Sequence, residues 1–147
     1  MNFVTGILRP SRKAYAHCDG PCGIYDPAAA RIAAEAVLSM EKKLVALGDA
    51  QDLATQNTRG RFITIKEQQA EIAKRELDIL WHDYFKPEHL QKYPDLHTTF
   101  WQAAKLCSKN KTECDPANGE ALLETIQKIH DIFWETKGRS VPFYKAG

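Results

Sequence analysis

Two Asp-Pro dipeptides, Asp26-Pro27 and Asp115-Pro116, strongly limit how this chain can fold. An Asp side chain accepts a hydrogen bond from a free amide at a helix start, and Pro in the first turn lacks an amide that would have no partner there. Each dipeptide precedes apolar residues at helical spacing, and each run stops near a glycine, Gly48 or Gly138. The first run is Ile32, Ala36, Met40, Leu44 and Leu47, and the second is Leu122, Ile126, Ile129 and Phe133. Two capped helices are therefore predicted.

Two further helices are predicted between these two. After a polar link over 48–60, a helix from about Arg61 to Phe85 carries Ile65, Ile72 and Ile79, with Gln69 and Glu76 on the same stripe. Prolines 87 and 94 indicate an irregular connection, and a loop is predicted over 108–114. Between this connection and this loop a helix is predicted, with the apolar stripe Leu96, Phe100, Ala103 and Cys107. The sequence thus predicts an all-α fold, an up-down-up-down four-helix bundle, with a frayed tail from Ser140 to Gly147.

Charge narrows the classes of function. The 147 residues have a net charge of +1, which is too balanced for a protein that binds nucleic-acid backbones or anionic membranes. No run approaches the roughly 18 apolar residues of a membrane span. Residues 1–16 contain three basic residues and no acid, but their apolar stretch precedes the charges, unlike a secretory signal. We therefore expect a cytoplasmic protein with no nucleic-acid or membrane partner, whose four cysteines serve as reactive or ligand thiols.

The chemically densest segment is 17–26, which contains His17, Cys18, Cys22 and Tyr25. Its Gly and Pro residues favour a tight turn that can bring both sulfurs to one point. A disulfide or an incidental pair also explains the two cysteines, whereas a structural zinc site lacks a second ligand pair at suitable spacing. Cleavage before His17 would free an amino group. That amine, the imidazole, and the Cys18 amide nitrogen and thiolate could then chelate one metal, with Cys22 completing a set that suits nickel or copper(II).

The segment HCDGPCGIYDPA resembles the nickel hook of nickel-containing superoxide dismutases. Other segments resemble that family in the same order: IKEQQAE at 65–71, WHDYFKPEH at 81–89, KYPDLH at 92–97, DPANG at 115–119 and IFWETK at 132–137. The resemblance covers about residues 17–137. It implies a propeptide over 1–16, removed by a maturation peptidase, and an enzyme domain over 17–147 with a hook at 17–25 and a bundle at about 26–137. Residues 138–147 are an extension with no assigned role.

The resemblance also implies a function and a set of site residues. It implies a homohexamer that converts superoxide to oxygen and hydrogen peroxide by Ni(II)/Ni(III) cycling, with one nickel ion per chain. It implies that the His17 amino nitrogen, the Cys18 amide nitrogen and the Cys18 and Cys22 thiolates hold nickel, with the His17 imidazole as an axial ligand in the oxidised state. Tyr25 matches a catalytic position that orders substrate and water. Positions that line the approach to the metal or surround it are matched by Asp19, Pro21, Tyr84 and Lys86.

Ala33 and Gln69 depart from the family pattern. Some members have a carboxylate and an Arg at these positions, and the pair orients the axial imidazole. Because such partners fix the orientation of a ligand ring, we expect Gln69 or a backbone carbonyl to take over this role. Two other functions remain open: a nickel or copper carrier that uses the same chelate without turnover, and an inert helical interaction module with an oxidised Cys18–Cys22 pair.

The remaining histidines, cysteines and tryptophans are expected to be structural. Cys107 is predicted to be a packed core thiol, and Cys114 lies in a loop. No Glu precedes a His by three residues, so the di-iron carboxylate class of helical bundles is excluded. Surface or hydrogen-bonded structural roles are expected for His82, His89, His97 and His130, and core or subunit-interface packing for Trp81, Trp101 and Trp134.

Overall fold

The structure is a computed structural model that describes residues 23–146, and no β-strand occurs in this part of the chain. The helices are α1 (Ala28–Ala46), α2 (Leu53–Ile79), α3 (Pro87–Lys92), α4 (Leu96–Thr112) and α5 (Pro116–Thr136), and α2 continues into a π-helical turn, Leu80–Tyr84. Helices α1 and α4 each pack against both α2 and α5. The four long helices therefore form the predicted up-down-up-down bundle, and α3 lies in the connection between α2 and α4.

The helix starts follow from local hydrogen bonds. Both predicted Asp caps are confirmed: Asp26 accepts from the amide of Ala28 at 2.8 Å, and Asp115 accepts from that of Ala117 at 3.0 Å. The start predicted for α2 is wrong, because Asp52 caps a helix that begins at Leu53 rather than near Arg61. Most of the predicted 48–60 link is therefore helical. A helical Gly costs only about 1 kcal/mol relative to Ala, so Gly60 does not end a helix by itself.

The core confirms the predicted stripes of α4 and α5 in full, but those of α1 and α2 only in part. All four stripe residues of α4 and all four of α5 are buried. In α1, Met40 and Leu44 are buried, but Ile32 is 56% exposed. In α2, Ile65 and Ile72 are 37% and 43% exposed, so the predicted stripe faces away from the core. The residues that α1 and α2 bury instead include several alanines: Ala30, Ala33, Ala34, Val37, Ala70, Ala73 and Leu77. Small side chains let two helices approach closely, and a search for large apolar residues misses them.

The connections and the tail are more ordered than predicted. Helix α4 continues to Thr112, so most of the predicted 108–114 loop is helical, and α3 occupies the connection predicted to be irregular. The predicted fraying of the tail is wrong for residues 140–146. The His130 Nε2 donates to the carbonyl oxygen of Val141 at 2.8 Å, and the Phe143 ring lies 5.2 Å from that imidazole. The Ala146 amide donates to Glu35 on α1 at 2.7 Å. These contacts bind the tail to α1 and α5.

One end of the bundle buries a polar side chain from each of the four long helices. We call it the far end and define it by Glu41, Lys66, Asn110 and Asn118. The Lys66 ammonium on α2 donates to the carbonyl oxygens of Asn110, Lys111 and Glu113, so it satisfies carbonyls at and just beyond the last turn of α4. Glu41 on α1 is also fully buried, and neither of its carboxylate oxygens has a hydrogen-bond partner within residues 23–146. The far end thus combines a well-partnered cation with a carboxylate that has no hydrogen-bond partner among residues 23–146 but is attracted by that cation.

None of the helices in the described part of the chain is both long and apolar enough to cross a membrane.

Candidate active site

The opposite end of the bundle collects the described residues for which a functional role was expected. Helix α1 begins there, the π-helical turn after α2 ends there, and α5 ends there. We call it the hook end and define it by Tyr25, Tyr84, Lys86, His89, Thr136 and Lys137. The expected nickel ligands His17, Cys18 and Cys22, together with Asp19 and Pro21, lie outside the described residues. They immediately precede Gly23 in the sequence.

The chain enters the hook end through a conformation that favours glycine. Gly23 has a φ of +63°, in the left-handed region that side chains other than glycine rarely adopt. Two residues later, the half-buried Tyr25 places its ring 5.7 Å from that of Tyr84, at an interplanar angle of 53°. The structure therefore brings together two of the residues that the sequence associates with one site.

Tyr84 is held on several sides. It is the last residue of the π-helical turn, which closes with a hydrogen bond from the Phe85 amide to the Leu80 carbonyl at 3.1 Å. Such one-turn insertions change the direction of the residues that follow and often occur at functional sites. The Tyr84 ring lies 4.5 Å from Phe133 and is stacked with His89 at 5.8 Å. Its hydroxyl is 2.6 Å from Oγ1 of Thr136.

Two lysines give the hook end positive charge. Lys86 is exposed, and its backbone amide donates to Nδ1 of His89 at 3.1 Å. A neutral His89 must therefore carry its proton on Nε2. The ammonium of Lys137 lies 5.1 Å from the centres of both the Tyr84 and Phe133 rings. Neither lysine forms an ion pair with another residue in the range 23–146, so both charges are available to attract an anion.

Three residues of this end were not predicted to lie beside Tyr84: His89, Thr136 and Lys137. The hydrogen-bonded structural role expected for His89 is confirmed by the bond from the Lys86 amide. Thr136 and Lys137 belong to the segment IFWETK, which carried the resemblance without any assigned role. Their proximity to Tyr84 depends on how α5 ends beside the π-helical turn. No spacing within one helix could have revealed it.

The residues that depart from the family pattern occupy the two helices that pack most closely through alanines. Ala33 on α1 is buried in the core. Gln69 on α2 is half-buried, and its side-chain amide makes no hydrogen bond with any residue between 23 and 146. A role for the Gln69 amide as a partner of the His17 imidazole stays a prediction.

The other candidate residues have structural environments. Cys107 is buried, and desolvation raises the pKa of its thiol to about 12, so the prediction of a core thiol is confirmed. Cys114 is an exposed free thiol. His82 Nδ1 donates to the Asp78 carbonyl at 2.7 Å, and His97 packs against Trp81. Within residues 23–146, no three His, Cys, Asp or Glu side chains are grouped so that they could hold a metal ion.

The tryptophans differ in burial: Trp134 is buried, Trp81 is half-buried against Phe100, and Trp101 is exposed. The expectation of core packing is thus met for Trp134 and in part for Trp81. An interface role for Trp101 stays a prediction.

Comparison with known proteins adds independent evidence. Residues 12–137 match the family described as nickel-containing superoxide dismutase. The chain is 48% identical to the nickel superoxide dismutase of Streptomyces seoulensis over 135 residues, which are 92% of this chain and 98% of the relative. It is 44% identical to that of Streptomyces coelicolor with the same coverage.

Solved structures agree with these relatives. The native nickel superoxide dismutase structure has a TM-score of 0.75 and 46% identity, and a structure with nickel ligation of the oxidised state has a TM-score of 0.74 and 50% identity. Each comparison covers 84% of this chain and 100% of the solved chain. The chain therefore belongs to the nickel-containing superoxide dismutase family and is an oxidoreductase of that class.

Proposed function

We propose that this chain converts superoxide to oxygen and hydrogen peroxide at a nickel ion bound by its N-terminal hook. The observation that carries the proposal is the complete donor set His17, Cys18 and Cys22, which immediately precedes a described segment that places Tyr25 beside Tyr84. Family membership supports both the metal and the substrate. One nickel ion per chain is expected.

The chemistry of the donor set fits nickel. The amine of His17, the amide nitrogen of Cys18 and the two thiolates are the nitrogen and sulfur donors that planar Ni(II) prefers. Deprotonated amide and thiolate donors push electron density onto a metal, which makes a higher oxidation state accessible. When bound, nickel supplies the one-electron Ni(II)/Ni(III) couple that the two half-reactions of superoxide require. The His17 imidazole would be a further ligand to the metal, with Gln69 or a backbone carbonyl as its hydrogen-bond partner.

The protein's own residues attract, orient and enclose the reactants. The unpaired charges of Lys86 and Lys137 favour the approach of a small anion to the hook end. Tyr25 is the candidate residue for ordering substrate and water, and Tyr84 supports it from the bundle at 5.7 Å. Asp19 and Pro21 are the candidates for lining the remaining side of the approach.

Activity requires removal of residues 1–16. In the uncut chain the His17 nitrogen is a peptide amide, which cannot replace a free amine as a ligand. A peptidase that cuts after Ala16 is the partner implied.

We further propose a cytoplasmic homohexamer. The exposed apolar side chains Ile65 and Ile72 form a surface on α2 that the single bundle leaves uncovered, and neighbouring subunits would bury it. Trp101 on α4 is a second exposed aromatic residue of this kind. The free thiols of Cys107 and Cys114 suit a reducing compartment.

The proposal is tested by cutting the leader in vitro and adding nickel. We expect the cut protein to bind about one nickel per chain and to destroy superoxide, and the uncut protein to do neither. Cys22→Ser should abolish both properties. Cys114→Ser is the matched control, because it removes an exposed free thiol that lies outside the hook, and it should retain both.

Each alternative function predicts a different result. A carrier would bind nickel without turnover of superoxide. An inert module with an oxidised Cys18–Cys22 pair would bind no metal, and its intact mass would be lower by two hydrogens. Either result, obtained with correctly cut protein, would contradict the dismutase proposal.

A further inference from the structure

The hydroxyl of Thr136 is shared between two oxygen atoms at the hook end. Its Oγ1 lies 2.6 Å from the carbonyl oxygen of Phe133, one turn earlier in α5. The same Oγ1 lies 2.6 Å from the phenol oxygen of Tyr84. Both distances are short enough for hydrogen bonds between oxygen atoms.

The proton count determines the direction of both hydrogen bonds. A carbonyl oxygen can only accept, so the single hydroxyl proton of Thr136 is donated to Phe133. The hydroxyl therefore has only lone pairs to offer to Tyr84, and the Tyr84 O–H must be the donor in the second bond. Any further partner of the Tyr84 oxygen must donate a hydrogen bond to it.

We propose that Thr136 is a positioning residue that commits the Tyr84 phenol proton to the protein, so that Tyr84 acts only as a hydrogen-bond acceptor toward molecules at the hook end. The role in the reaction depends on the proposed function, because it requires Tyr84 to border the approach to nickel. The hydrogen-bond arrangement itself does not depend on it.

This arrangement lets Tyr84 distinguish between the species of the reaction. Superoxide is an anion without a proton, so it can only accept hydrogen bonds and gains none from Tyr84. Water and hydrogen peroxide carry O–H groups that can donate to the phenol oxygen. Tyr84 therefore favours ordered water and the peroxide product over the substrate. The contacts of its ring with Phe133 at 4.5 Å and His89 at 5.8 Å keep the phenol in place for this role.

The direction of the hydrogen bond can be measured without nickel. The tyrosine doublet in ultraviolet resonance Raman spectra distinguishes a phenol that donates from one that only accepts. A difference spectrum between the full chain and its Tyr84→Phe variant isolates Tyr84 from the other four of the five tyrosines. We expect a donor signature in the wild type, its loss in Thr136→Val and its return in Thr136→Ser, which keeps the hydroxyl.

Thr125→Val is the matched control. Thr125 also lies on α5 and donates to a backbone carbonyl, that of Ala121 at 2.8 Å, but it has no tyrosine partner among the described residues. It should leave the Tyr84 spectrum unchanged. In leader-cleaved, nickel-loaded protein, Thr136→Val frees the phenol proton for donation to superoxide, so kcat/KM should change about fivefold, the effect of one hydrogen bond, while Thr136→Ser and Thr125→Val should stay within about twofold of the wild type.

Several results would overturn the inference. An acceptor-only signature for Tyr84 in the wild type, or a spectrum unaffected by Thr136→Val, would show that Thr136 does not hold the phenol proton. An unchanged kcat/KM in Thr136→Val would contradict a role for Thr136 in the reaction. A confirmed donor signature in a cut, nickel-loaded wild type that does not destroy superoxide would instead refute the proposed function, and with it that role.

Discussion

The two ends of the bundle use positive charge in opposite ways. At the far end, the buried ammonium of Lys66 donates to three backbone carbonyls of the protein itself. At the hook end, Lys86 is exposed and Lys137 lies over two aromatic rings, and neither pairs with an acid in residues 23–146. The comparison indicates that charges committed to protein groups stabilise this fold, whereas uncommitted charges remain available for a ligand. Substitutions at the far end should therefore change stability, and those at the hook end should change activity.

Removal of the buried ammonium should have the largest effect on stability. Lys66→Met keeps most of the aliphatic volume but leaves three carbonyls and the Glu41 carboxyl group without their cation. We expect a loss of about 3–5 kcal/mol in the free energy of unfolding, measured by urea titration with circular dichroism. The nickel content per folded chain should not change, because Lys66 lies at the opposite end of the bundle from Tyr25 and Tyr84, beside which nickel is proposed to bind.

Lys74→Met is the matched control for this experiment. Lys74 is on the same helix but half-buried, and within residues 23–146 its ammonium makes one hydrogen bond, to Ser108 at 3.3 Å. Lys74→Met should lower the free energy of unfolding by less than about 1 kcal/mol. Equal losses from the two variants, or a loss of nickel from folded Lys66→Met, would contradict the separation of the two ends.

Glu41 should make stability depend on pH. Burial raises the pKa of its carboxyl group from 4.5 to about 7, and the attraction of Lys66 offsets only part of this shift. Between these two pH values the folded chain retains a proton that the unfolded chain releases, so stability falls as the pH rises through this window. The loss of stability caused by ionising the buried Glu41 is complete above about pH 7 and absent below about pH 4.5.

Glu41→Gln keeps the shape of the side chain and removes this titration. We expect it to stabilise the fold by about 3 kcal/mol above pH 7 and to have little effect at pH 4.5, as measured by urea titration across the pH range. A gain that is independent of pH would mean that Glu41 is not held in its protonated form by the fold.

How much of each end could be predicted depends on how far apart in the sequence its interacting residues lie. The proposed hook and both Asp-Pro helix starts are local patterns, so adjacent residues were enough to predict them; the hydrogen bonds of both Asp side chains are confirmed, and the hook stays a prediction. The Lys66 site could not be predicted, because a lysine in a helix usually points to solvent and its carbonyl partners lie more than 40 residues away. Thr136 was missed for the same reason, since it meets Tyr84 across 52 residues of sequence. The predicted fold class is nevertheless correct, because the apolar stripes of α4 and α5 were predicted in full and face the core.

Gly119 tests how closely the far end is packed. A Cβ placed on this residue would lie 2.6 Å from Oε2 of Glu41 and 3.1 Å from the backbone Cα of Leu38. The carboxylate can move, but the backbone of α1 cannot move without disturbing the packing. We therefore expect Gly119→Ala to lower the free energy of unfolding by about 1–3 kcal/mol, even though Ala favours a helix. Gly60→Ala in α2 is the control: nothing lies within 4 Å of its Cβ, so this change should stabilise the protein by up to about 1 kcal/mol. If both substitutions raised the free energy of unfolding, the space beside Gly119 would be large enough for a methyl group.

The smallest effect is expected from an ion pair near the hook end that looks strong by distance alone. The Lys92 ammonium lies 2.9 Å from Oε1 of Glu135, but the two side chains are 60% and 58% exposed. In water the attraction is screened, and holding two long side chains in one geometry costs entropy, so such a pair adds little. Lys92→Gln should therefore leave the midpoint of urea unfolding unchanged within error, at low and at high salt. Its donor and acceptor approach as closely as in an ordinary hydrogen bond, so distance alone does not separate this pair from the Lys66 contacts, whereas burial and the number of partners do. A loss as large as that of Lys66→Met would mean that one exposed contact stabilises the fold as much as the three contacts of a buried ammonium, which would contradict the assignment of stability to the far end.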